Sequence, residues 1–440
     1  MLNITIIVTL TCIFKMKQIE YHQQCEQELT AMKLFPREKY LRRIRGFYDA
    51  ADIIKVITGV RRCGKSSLMM MIADEMREKG IDEAHIIFLN LDQRGYRKIR
   101  TPDQLEELIE SRIQDQNLHY LFIDEIQNVK GFEEVINGFR EDGNCSIFIT
   151  GSNSYLLSGE LVTKLTGRYL EFEMYTLTFE EYEQIKLFYG KTIDPNPMAE
   201  LQLYILEGGF PRAILFDSLA DKRSYTHGVT EEIFEKDIRR RIKVRNRESF
   251  EAIRTYIINN FGSTTSITNL YDDLRKNGQN VSRQTVTRYI KALTDAKVLY
   301  ECNRYDMKSR KSLTGDKKYY ISDLSFYYSL NTDNQIHYGP VLENIVYFYA
   351  RSMNNAVSVG RIGKLECDFL VRNPDMEYSY VQVAYTILAN KETEDREYRP
   401  LELIRDNYPK YVMTTDYLLQ HRNGILHVNL LDFIKGESQF

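Results

Sequence analysis

A glycine-rich loop between a predicted strand and a predicted helix places the strongest limit on how this chain of 440 residues can fold. The stretch KVITGVRRCGKSSLMMM contains the pattern G-x-x-x-x-G-K-S, from Gly59 to Ser66. The β-branched residues before the loop predict a buried strand, and the residues after it have helical spacing up to Gly80. Such a loop presents backbone N–H groups and a helix N-terminus to a phosphate. The sequence therefore predicts an α/β domain that binds a nucleotide.

The residue types within the loop predict individual roles. Lys65 would neutralise β- and γ-phosphate oxygens, and the Ser66 hydroxyl would bind Mg²⁺. Arg61 and Arg62 leave two interpretations open, solvated side chains or extra positive charge for the phosphates. The predicted nucleotide-binding residues are Gly59, Val60, Arg61, Arg62, Cys63, Gly64, Lys65, Ser66 and Ser67.

A second apolar segment ends in two carboxylates. In HYLFIDEIQNV, three apolar residues precede Asp124 and Glu125. A buried strand would deliver both side chains to its carboxyl end, beside the phosphate loop. Asp124 would join Ser66 in the Mg²⁺ shell, and Glu125 would orient or activate the attacking water. With Lys65, these two acids are predicted catalytic residues.

Two further polar residues are candidates for the catalytic set. Asn153 follows the apolar segment CSIFIT and would contact the γ-phosphate or the attacking water. Its alternative is an asparagine that stabilises a turn. Arg168 follows a glycine and precedes another predicted strand, so it would stabilise transition-state charge in cis or from a neighbouring subunit. Its alternative is a surface salt bridge.

Four segments together resemble a known family. GVRRCGKS, LFIDEIQNV, TGSNSYLLSGE and TGRYLEFEMYTLTFEEY are similar to bacterial and archaeal AAA-type ATP-binding proteins that carry an AAA_14 module and a C-terminal DUF4143 domain. The resemblance includes EGGFPRAIL (207–215), a helical-lid segment in that family, and covers nearly the whole chain after residue 32. It implies ATP as the nucleotide.

Three predicted helices and two strands follow, an order typical of a winged helix-turn-helix. A run of seven Lys or Arg between Lys236 and Arg247 precedes them and is either a solvated face or a phosphate-contacting surface. The third helix would bind DNA, or the module would serve only as a lid or interaction surface. Its predicted exposed residues, which suit phosphate and base-edge contacts, are Arg283, Gln284, Thr287, Arg288 and Lys291.

The last segment resembles the PD-(D/E)xK nuclease core. A predicted helix carries Glu343, and the following strands carry Asp368 and Gln382. In that core, such groups hold a divalent metal and its water. The sequence has Gln382 and Ala384 where the nuclease pattern has an acid and a lysine. A degenerate site that docks a partner or nucleic acid is therefore favoured over an active nuclease.

Composition adds few limits. The net charge of −3 restricts nucleic-acid binding to a local patch. Six scattered cysteines without a C-x-x-C pair indicate a reducing, cytoplasmic location. The apolar run at the start is too short to span a bilayer, so no membrane association is expected. Residues 1–31 are interpreted as an extension, with Met16 or Met32 as alternative translation starts.

The sequence thus predicts four consecutive structural regions after that extension. These regions are an AAA-like P-loop ATPase core (32–180), a helical lid and basic connector (181–247), a winged helix-turn-helix (248–332) and a nuclease-like α/β domain (333–440). The predicted function is Mg²⁺-dependent ATP binding and hydrolysis coupled to movement of a C-terminal region that binds a protein partner or nucleic acid. The alternative is a DNA-binding regulator or defence protein in which ATP is a structural ligand. The oligomeric state stays open.

Overall fold

The computed structural model describes residues 33–151, 167–309, 311–313, 315–331, 335–436 and 438–440. Contacts divide the chain into Met1–Arg37 and Glu38–Phe440. In the first unit only residues 33–37 are described, and they have no regular secondary structure. The predicted extension (1–31) and Asn153 lie outside the described residues. The described helices and strands lie in the second unit, Glu38–Phe440.

The first half of this unit is built on a parallel sheet of five strands in the order β2-β3-β4-β1-β5. The strands β1, β3 and β4 are buried along their whole length, as expected for the middle of a parallel sheet covered on both faces. The elements are α1 (Glu38–Ile44), β1 (Ile54–Gly59), α2 (Lys65–Glu78), β2 (Ile86–Asn90), α3 (Pro102–Glu110), β3 (His119–Asp124), α4 (Phe132–Asp142), β4 (Cys145–Thr150) and β5 (Tyr169–Met174).

Local sequence signals explain where these helices begin. Thr101 caps α3 through a reciprocal capping box with Gln104, and Pro102 occupies its first turn. The loop before α2 ends at Gly64, whose φ of 110° is unfavourable for residues with a side chain. All five strands run in one direction, so their carboxyl ends share one edge of the sheet. The loop of residues 59–64 and the residues after β3 lie at that edge.

A helical region follows the first sheet. It contains α5 (Phe179–Phe188), α6 (Pro197–Glu207), α7 (Leu219–Ile233) and a π-helical turn (Phe234–Ile238) that continues α7. The two glycines after α6 allow close contact with other segments. A Cβ on Gly208 would lie 2.1 Å from Asp323 Oδ1, and a Cβ on Gly209 would lie 2.5 Å from the Leu177 carbonyl oxygen. The Gly209 N–H also donates to Asp323. These contacts fix the segment EGGFPR against its neighbours.

The next region contains three helices and a small antiparallel sheet, in the strand order β6-β10-β7. Ser266 and Ser282 cap the second and third helices. The elements are α8 (Arg247–Asn259), β6 (Thr264–Thr265), α9 (Ile267–Lys276), α10 (Arg283–Asp295), β7 (Leu299–Cys302), β8 (Arg304–Asp306), β9 (Lys311–Ser312), β10 (Lys317–Ile321) and α11 (Ser325–Leu330).

The predicted wing differs from the structure in one respect. We expected the strand after α10 and the stretch KSLTGDKKYYISDL to form a simple hairpin. Instead β7 and β10 pair with each other, whereas β8 and β9 leave them and join the C-terminal sheet. There β8 lies parallel to β11, with Gly360 opposite Tyr305. The tip of the expected wing is thus tied to the last part of the chain by backbone hydrogen bonds.

The C-terminal part is a mixed sheet of eight strands, in the order β15-β16-β14-β13-β12-β11-β8-β9. Its helices pack on strands β11 to β16. The remaining elements are α12 (Tyr338–Ser352), β11 (Ala356–Ile362), β12 (Leu365–Arg372), β13 (Tyr378–Val383), α13 (Lys391–Glu402), β14 (Lys410–Thr414), β15 (His421–Arg422), β16 (Ile425–Asn429) and α14 (Leu430–Lys435). Within the described ranges, no helix has both the length and the apolar character needed to cross a membrane.

Candidate nucleotide-binding site

The phosphate loop joins β1 to α2 as the sequence predicts. Gly59 closes β1 beside Met174 of β5, and a Cβ at this position would lie 2.2 Å from the Met174 carbonyl oxygen. A side chain at residue 59 would therefore push β5 away from the loop. Val60 and Cys63 are fully buried beneath the loop. Packing from below and glycine at both ends shape the backbone into a phosphate-binding turn.

Lys65 lies at the first position of α2 and is 8% exposed. Its Nζ donates to the carbonyl oxygens of Gly59 at 2.9 Å and Val60 at 3.2 Å. The ammonium group is thus held inside the loop, where it would meet β- and γ-phosphate oxygens. Ser66 and Ser67 follow on the same helical turn.

Asp124 ends β3 and is 2% exposed. Two side chains orient its carboxylate. The Thr150 hydroxyl, at the end of β4, donates to Oδ1, and the Asn90 amide, at the end of β2, donates to Oδ2 at 3.0 Å. Because β4 lies between β3 and β1, Thr150 bridges the space between Asp124 and the phosphate loop. Sequence reasoning missed Thr150 and Asn90, although each is a polar residue that ends a buried strand at the shared edge.

Glu125 follows Asp124 with a left-handed backbone, at φ 57° and ψ 44°. This conformation is uncommon for a residue other than glycine, and such residues concentrate at functional sites. The Glu125 N–H donates to the Thr150 hydroxyl at 3.3 Å, and its side chain accepts a hydrogen bond from Gln127. One oxygen lies 3.7 Å from Arg61 Nη1. Thr150 therefore orients the Asp124 carboxylate and holds the backbone of Glu125.

The two loop arginines contact acids of the helical region. Arg61 donates from Nε and Nη2 to both oxygens of Asp237, each at 2.8 Å, and lies 3.8 Å from Glu232. These acids raise the pKa of Arg61 even though burial acts in the opposite direction. Arg62 is more exposed and donates to Glu232 at 2.9 Å. The sequence did not predict this link, because the partners are about 170 residues downstream of the loop.

Arg168 does not lie near the phosphate loop. It immediately precedes β5, and its carbonyl oxygen accepts a hydrogen bond from Ile54, the first residue of β1. The loop begins at the other end of β1. The Arg168 side chain donates to Asn137 at 3.0 Å and lies 3.4 Å from Glu141. The expected contact with a phosphate of the same chain is therefore wrong, and the surface salt bridge is the arrangement found. A role toward a neighbouring subunit stays a prediction.

The donor atoms at this edge suit Mg²⁺. A serine hydroxyl and a carboxylate are hard oxygen ligands, and Mg²⁺ in nucleotide sites binds one or two such groups together with phosphate oxygens and water. The hydrogen bonds from Thr150 and Asn90 orient the Asp124 carboxylate in the manner of an outer shell that supports a metal ligand. Ser66 and Asp124 are the residues that would hold the ion.

Comparisons with known proteins agree with this geometry. Residues 51–183 match the family model of an AAA domain, AAA_14, and residues 198–336 match a domain of unknown function, DUF8612. An uncharacterized protein of Haemophilus influenzae is 32% identical over 406 residues, which cover 91% of this chain and 98% of that protein. The uncharacterized protein MJ1544 of Methanocaldococcus jannaschii is 30% identical over 355 residues, 78% of each chain.

The chain belongs to the family of these two proteins. Residues 51–183 are its AAA domain, an ATP-binding domain of the AAA type. Among solved structures, the Walker-type ATPase PABY2304 of Pyrococcus abyssi is similar, with 16% identity, a TM-score of 0.49 and coverage of 68% of this chain and 96% of that one. The DUF4143 domain that we expected is not what the comparisons show, since the match after the AAA domain is DUF8612.

A partly buried ion-pair cluster connects the AAA domain to the later regions. Glu173 of β5 accepts hydrogen bonds from Lys297, just before β7, and from Arg351 of α12, the latter at 3.0 Å. Despite burial, the two cations lower the pKa of Glu173 to about 2, so it is ionised at neutral pH. The next residue of β5, Met174, pairs with Gly59 at the start of the phosphate loop, so β5 lies directly against that loop. This Glu173 cluster is one strand away from the nucleotide site.

The structure brings Glu343 and Asp368 close to a lysine that sequence reasoning missed. Lys318 of β10 is buried, and its Nζ lies 3.2 Å from Glu343, 3.1 Å from Glu366 and 4.0 Å from Asp368. Burial raises the pKa of Glu343 and of Asp368. Among the described residues, these acids are not part of any group of three ligands that converges on one point. The Lys318 ammonium group thus lies among these three carboxylates, and the four residues together form the Lys318 cluster.

Gln382 and Ala384 occupy the remaining positions of the predicted nuclease pattern. The Gln382 side chain on β13 links strand β12 to helix α13, since it accepts from the Asp368 N–H at 3.4 Å and donates to Glu397 at 3.0 Å. Ala384 is 8% exposed and packs in an apolar cluster that includes Tyr398. The lysine of the nuclease pattern therefore has no counterpart on β13, and Lys318 enters the cluster from a different sheet.

Proposed function

We propose that the protein is a Mg²⁺-dependent ATPase that couples ATP binding and hydrolysis to movement of its C-terminal regions. One observation carries the proposal. The phosphate loop with Lys65 and the oriented carboxylate of Asp124 lie at the same edge of one parallel sheet, with Thr150 between them. This is the arrangement that a P-loop and a metal-binding carboxylate require for phosphoryl transfer to water.

Each residue has a distinct task in this proposal. Mg²⁺, when bound, would screen the charge of the β- and γ-phosphates. Lys65 would exchange its hydrogen bonds to the carbonyl oxygens of Gly59 and Val60 for bonds to phosphate oxygens. Asp124 and Ser66 would hold the ion, and Glu125 would accept a proton from, or orient, the attacking water.

Two substitutions separate binding from hydrolysis. Lys65→Ala should abolish ATP binding, measured by the fluorescence of a labelled nucleotide, together with phosphate release. Glu125→Gln should retain binding and lose hydrolysis by at least about 100-fold, the lower range for loss of acid–base catalysis. Lys98→Ala and Glu110→Gln change exposed residues of the same domain and serve as matched controls. Phosphate release by Lys65→Ala at the rate of wild type would overturn the proposal.

The Glu173 cluster supports the coupling. Movement of the phosphate loop on ATP binding would displace β5. Glu173 of β5 forms ion pairs with Lys297, just before β7, and with Arg351 of α12, so the displacement would reach both segments. Hydrogen exchange of residues 299–440 should change when a non-hydrolysable ATP analogue binds. In Glu173→Gln the analogue should still bind but produce a smaller change, whereas Glu301→Gln, which alters a surface ion pair, should behave as wild type. An unaltered response in Glu173→Gln would exclude this route.

A second candidate function is DNA binding with ATP as a switch, and one observation favours it. On α10, the buried side chains include Val286 and Ile290, and the opposite face is exposed and basic. The exposed residues are the five predicted ones, Arg283, Gln284, Thr287, Arg288 and Lys291. This face suits phosphate and base-edge contacts in a winged helix.

Binding of a fluorescent duplex at two salt concentrations tests the DNA proposal. Affinity should fall as salt increases, because phosphate contacts release counterions. The double substitution Arg283→Ala and Arg288→Ala should weaken binding, whereas Arg97→Ala, an exposed arginine of the AAA domain, should not. Equal binding by wild type and the double variant would exclude α10 as the DNA-binding helix.

A further inference from the structure

Two histidines and an aspartate meet at the amino ends of β2 and β3. His85 closes the 3₁₀ turn Glu83–His85 before β2, His119 is the first residue of β3, and Asp115 lies in the segment between α3 and β3. One potential ligand atom from each residue lies within 4.8 Å of the other two. The nucleotide site lies at the carboxyl ends of the same strands, so this His85–Asp115–His119 group is separate from it.

His119 has the features of a prepared ligand. It is fully buried, and its Nδ1 lies 2.9 Å from the Asn117 carbonyl oxygen. A carbonyl oxygen can only accept, so Nδ1 carries the proton and Nε2 of the neutral ring carries a lone pair. Nε2 has no hydrogen-bond partner and lies 4.0 Å from Asp115 Oδ1. A metal-binding histidine typically donates its other N–H to such a carbonyl or to a carboxylate.

Hydrogen bonds hold the Asp115 carboxylate in place. The backbone N–H and the side-chain amide of Asn117 each donate to its carboxylate at 2.8 Å. His85 Nε2 lies 3.0 Å from Asp115 Oδ2. Asn117 thus supports both neighbours, since its carbonyl accepts from His119 while its amides donate to Asp115.

We propose that His85, Asp115 and His119 form a binding site for a divalent transition-metal ion of the Zn²⁺ class, with water as the fourth ligand. Two ligands of a tetrahedral Zn²⁺ at about 2.05 Å are roughly 3.3 Å apart. His85 Nε2 lies 3.0 Å from Asp115 Oδ2, and His119 Nε2 lies 4.0 Å from Asp115 Oδ1. One ligand atom of each residue lies within 4.8 Å of the other two, so side-chain movements without a change of backbone would bring the three to the spacing of a metal site. Two imidazole nitrogens and a carboxylate favour Zn²⁺, Co²⁺ or Ni²⁺ over Mg²⁺, which prefers oxygen ligands.

The position of the site indicates a structural role. The metal would link three parts of the chain: the residue before β2, the segment between α3 and β3, and the first residue of β3. These three segments are close in space but His85 and His119 are 34 residues apart in sequence. Asp115 is exposed and His85 is partly exposed, so the ion can enter from solvent. Metal binding would hold this edge of the sheet together without contacting the nucleotide.

Competition with a chromophoric chelator tests the site in the full chain, after treatment with EDTA and without nucleotide. We expect wild type to bind Zn²⁺ at a site whose affinity falls at least about 10-fold in Asp115→Asn and in His85→Gln. Asp103→Asn and His421→Gln alter exposed residues of the same types and should bind as wild type. Both ligand variants change residues that are accessible to solvent, so folding should persist, as circular dichroism would verify.

Two further measurements decide the outcome. Co²⁺ should give a visible absorption spectrum of nitrogen and oxygen ligation without the charge-transfer band of a thiolate, which separates this site from the cysteines. Zn²⁺ should also raise the thermal midpoint of wild type and not that of Asp115→Asn, and ATP binding should be equal in both. The proposal is overturned if wild type binds no Zn²⁺ at this site or if both ligand variants retain its affinity.

Discussion

Arg61 of the phosphate loop donates two parallel hydrogen bonds to Asp237 of the π-helical turn, from Nε and Nη2, each at 2.8 Å. Asp237 is 5% exposed, so this is a largely buried, bidentate ion pair with a defined geometry. It connects the loop that would hold ATP to a helix of the following region. A nucleotide phosphate that contacted Arg61 would therefore compete with Asp237 for the same guanidinium group.

Asp237→Asn should increase the affinity for ATP. The substitution removes a negative charge near the phosphate loop and weakens the hold on Arg61, which can then turn toward the nucleotide. We expect an increase of about fivefold, or about 1 kcal/mol, in low salt and less in high salt. Asp217→Asn changes an exposed aspartate of the same region and should have no effect. Weaker binding by Asp237→Asn would mean that Asp237 positions Arg61 for the phosphates.

Thr150→Val should reduce ATP hydrolysis. Valine keeps the shape of the buried side chain but removes the hydroxyl that donates to Asp124 and accepts from the Glu125 N–H. Loss of a group that orients a metal ligand costs about 10- to 100-fold in metal affinity or activity, so the Mg²⁺ concentration for half-maximal activity should rise. Thr150→Ser retains the hydroxyl and should stay close to wild type. Equal activity in the two variants would contradict the positioning role.

Sequence reasoning predicted the AAA part well because its signals are local. The strand before Gly59, the helix capped by Thr101 and the buried strand that ends at Asp124 all have the expected positions. The hydrophobic periodicity and the capping residues that define each element lie within one short stretch of sequence. The same holds for α10, which begins after Ser282 as expected.

The contacts that the sequence could not predict join residues far apart in the chain. Asp237 meets Arg61 across 176 residues, and Lys318 meets Asp368 across two sheets. A basic or acidic residue within a strand pattern does not reveal its partner. Arg168 shows the converse, since its place after a glycine suggested a catalytic arginine, but the parallel pairing of β5 with β1 puts it at the far edge.

Stability should rise with pH because of Lys55, which is fully buried at the start of β1. Its Nζ lies within hydrogen-bond distance of the carbonyl oxygens of Ala50 and Ile53 and of the Ser146 hydroxyl. Burial lowers the pKa of Lys55 to about 7, compared with about 10.4 in an unfolded chain. Between these values the unfolded chain binds a proton that the folded chain does not.

The stability of wild type should therefore increase between pH 7 and pH 9.5, by up to about 1.4 kcal/mol per unit from this group. In Lys55→Met, the free energy of unfolding should rise less steeply with pH over this range, because methionine has no proton to release. Urea unfolding at several pH values measures the difference, with Lys98→Met, an exposed lysine, as the control. Parallel curves for wild type and Lys55→Met would show that Lys55 keeps an ordinary pKa in the folded protein.

Lys318→Met should destabilise the fold most strongly near neutral pH. The substitution leaves Glu343, Glu366 and Asp368 without their shared ammonium group, and breaking a buried ion pair costs about 3–5 kcal/mol. In wild type these carboxylates outweigh the effect of burial and raise the pKa of Lys318. Burial already raises the pKa values of Glu343 and Asp368. In the absence of Lys318, protonation of these two groups is the remaining way to reduce the repulsion between the neighbouring carboxylates.

The sign of the pH dependence follows from these shifts. A carboxyl group with a raised pKa binds protons more tightly in the folded state, so its contribution to stability is present at low pH and is lost as pH rises through the folded pKa. Urea unfolding should therefore show a larger loss for Lys318→Met at pH 7.5 than at pH 5. Lys317→Met, the neighbour on β10 that pairs with Glu301 at the surface, should cost less than about 1 kcal/mol at both. A loss for Lys318→Met that is equal at the two pH values would mean that lost packing, and not the unpaired carboxylates, dominates.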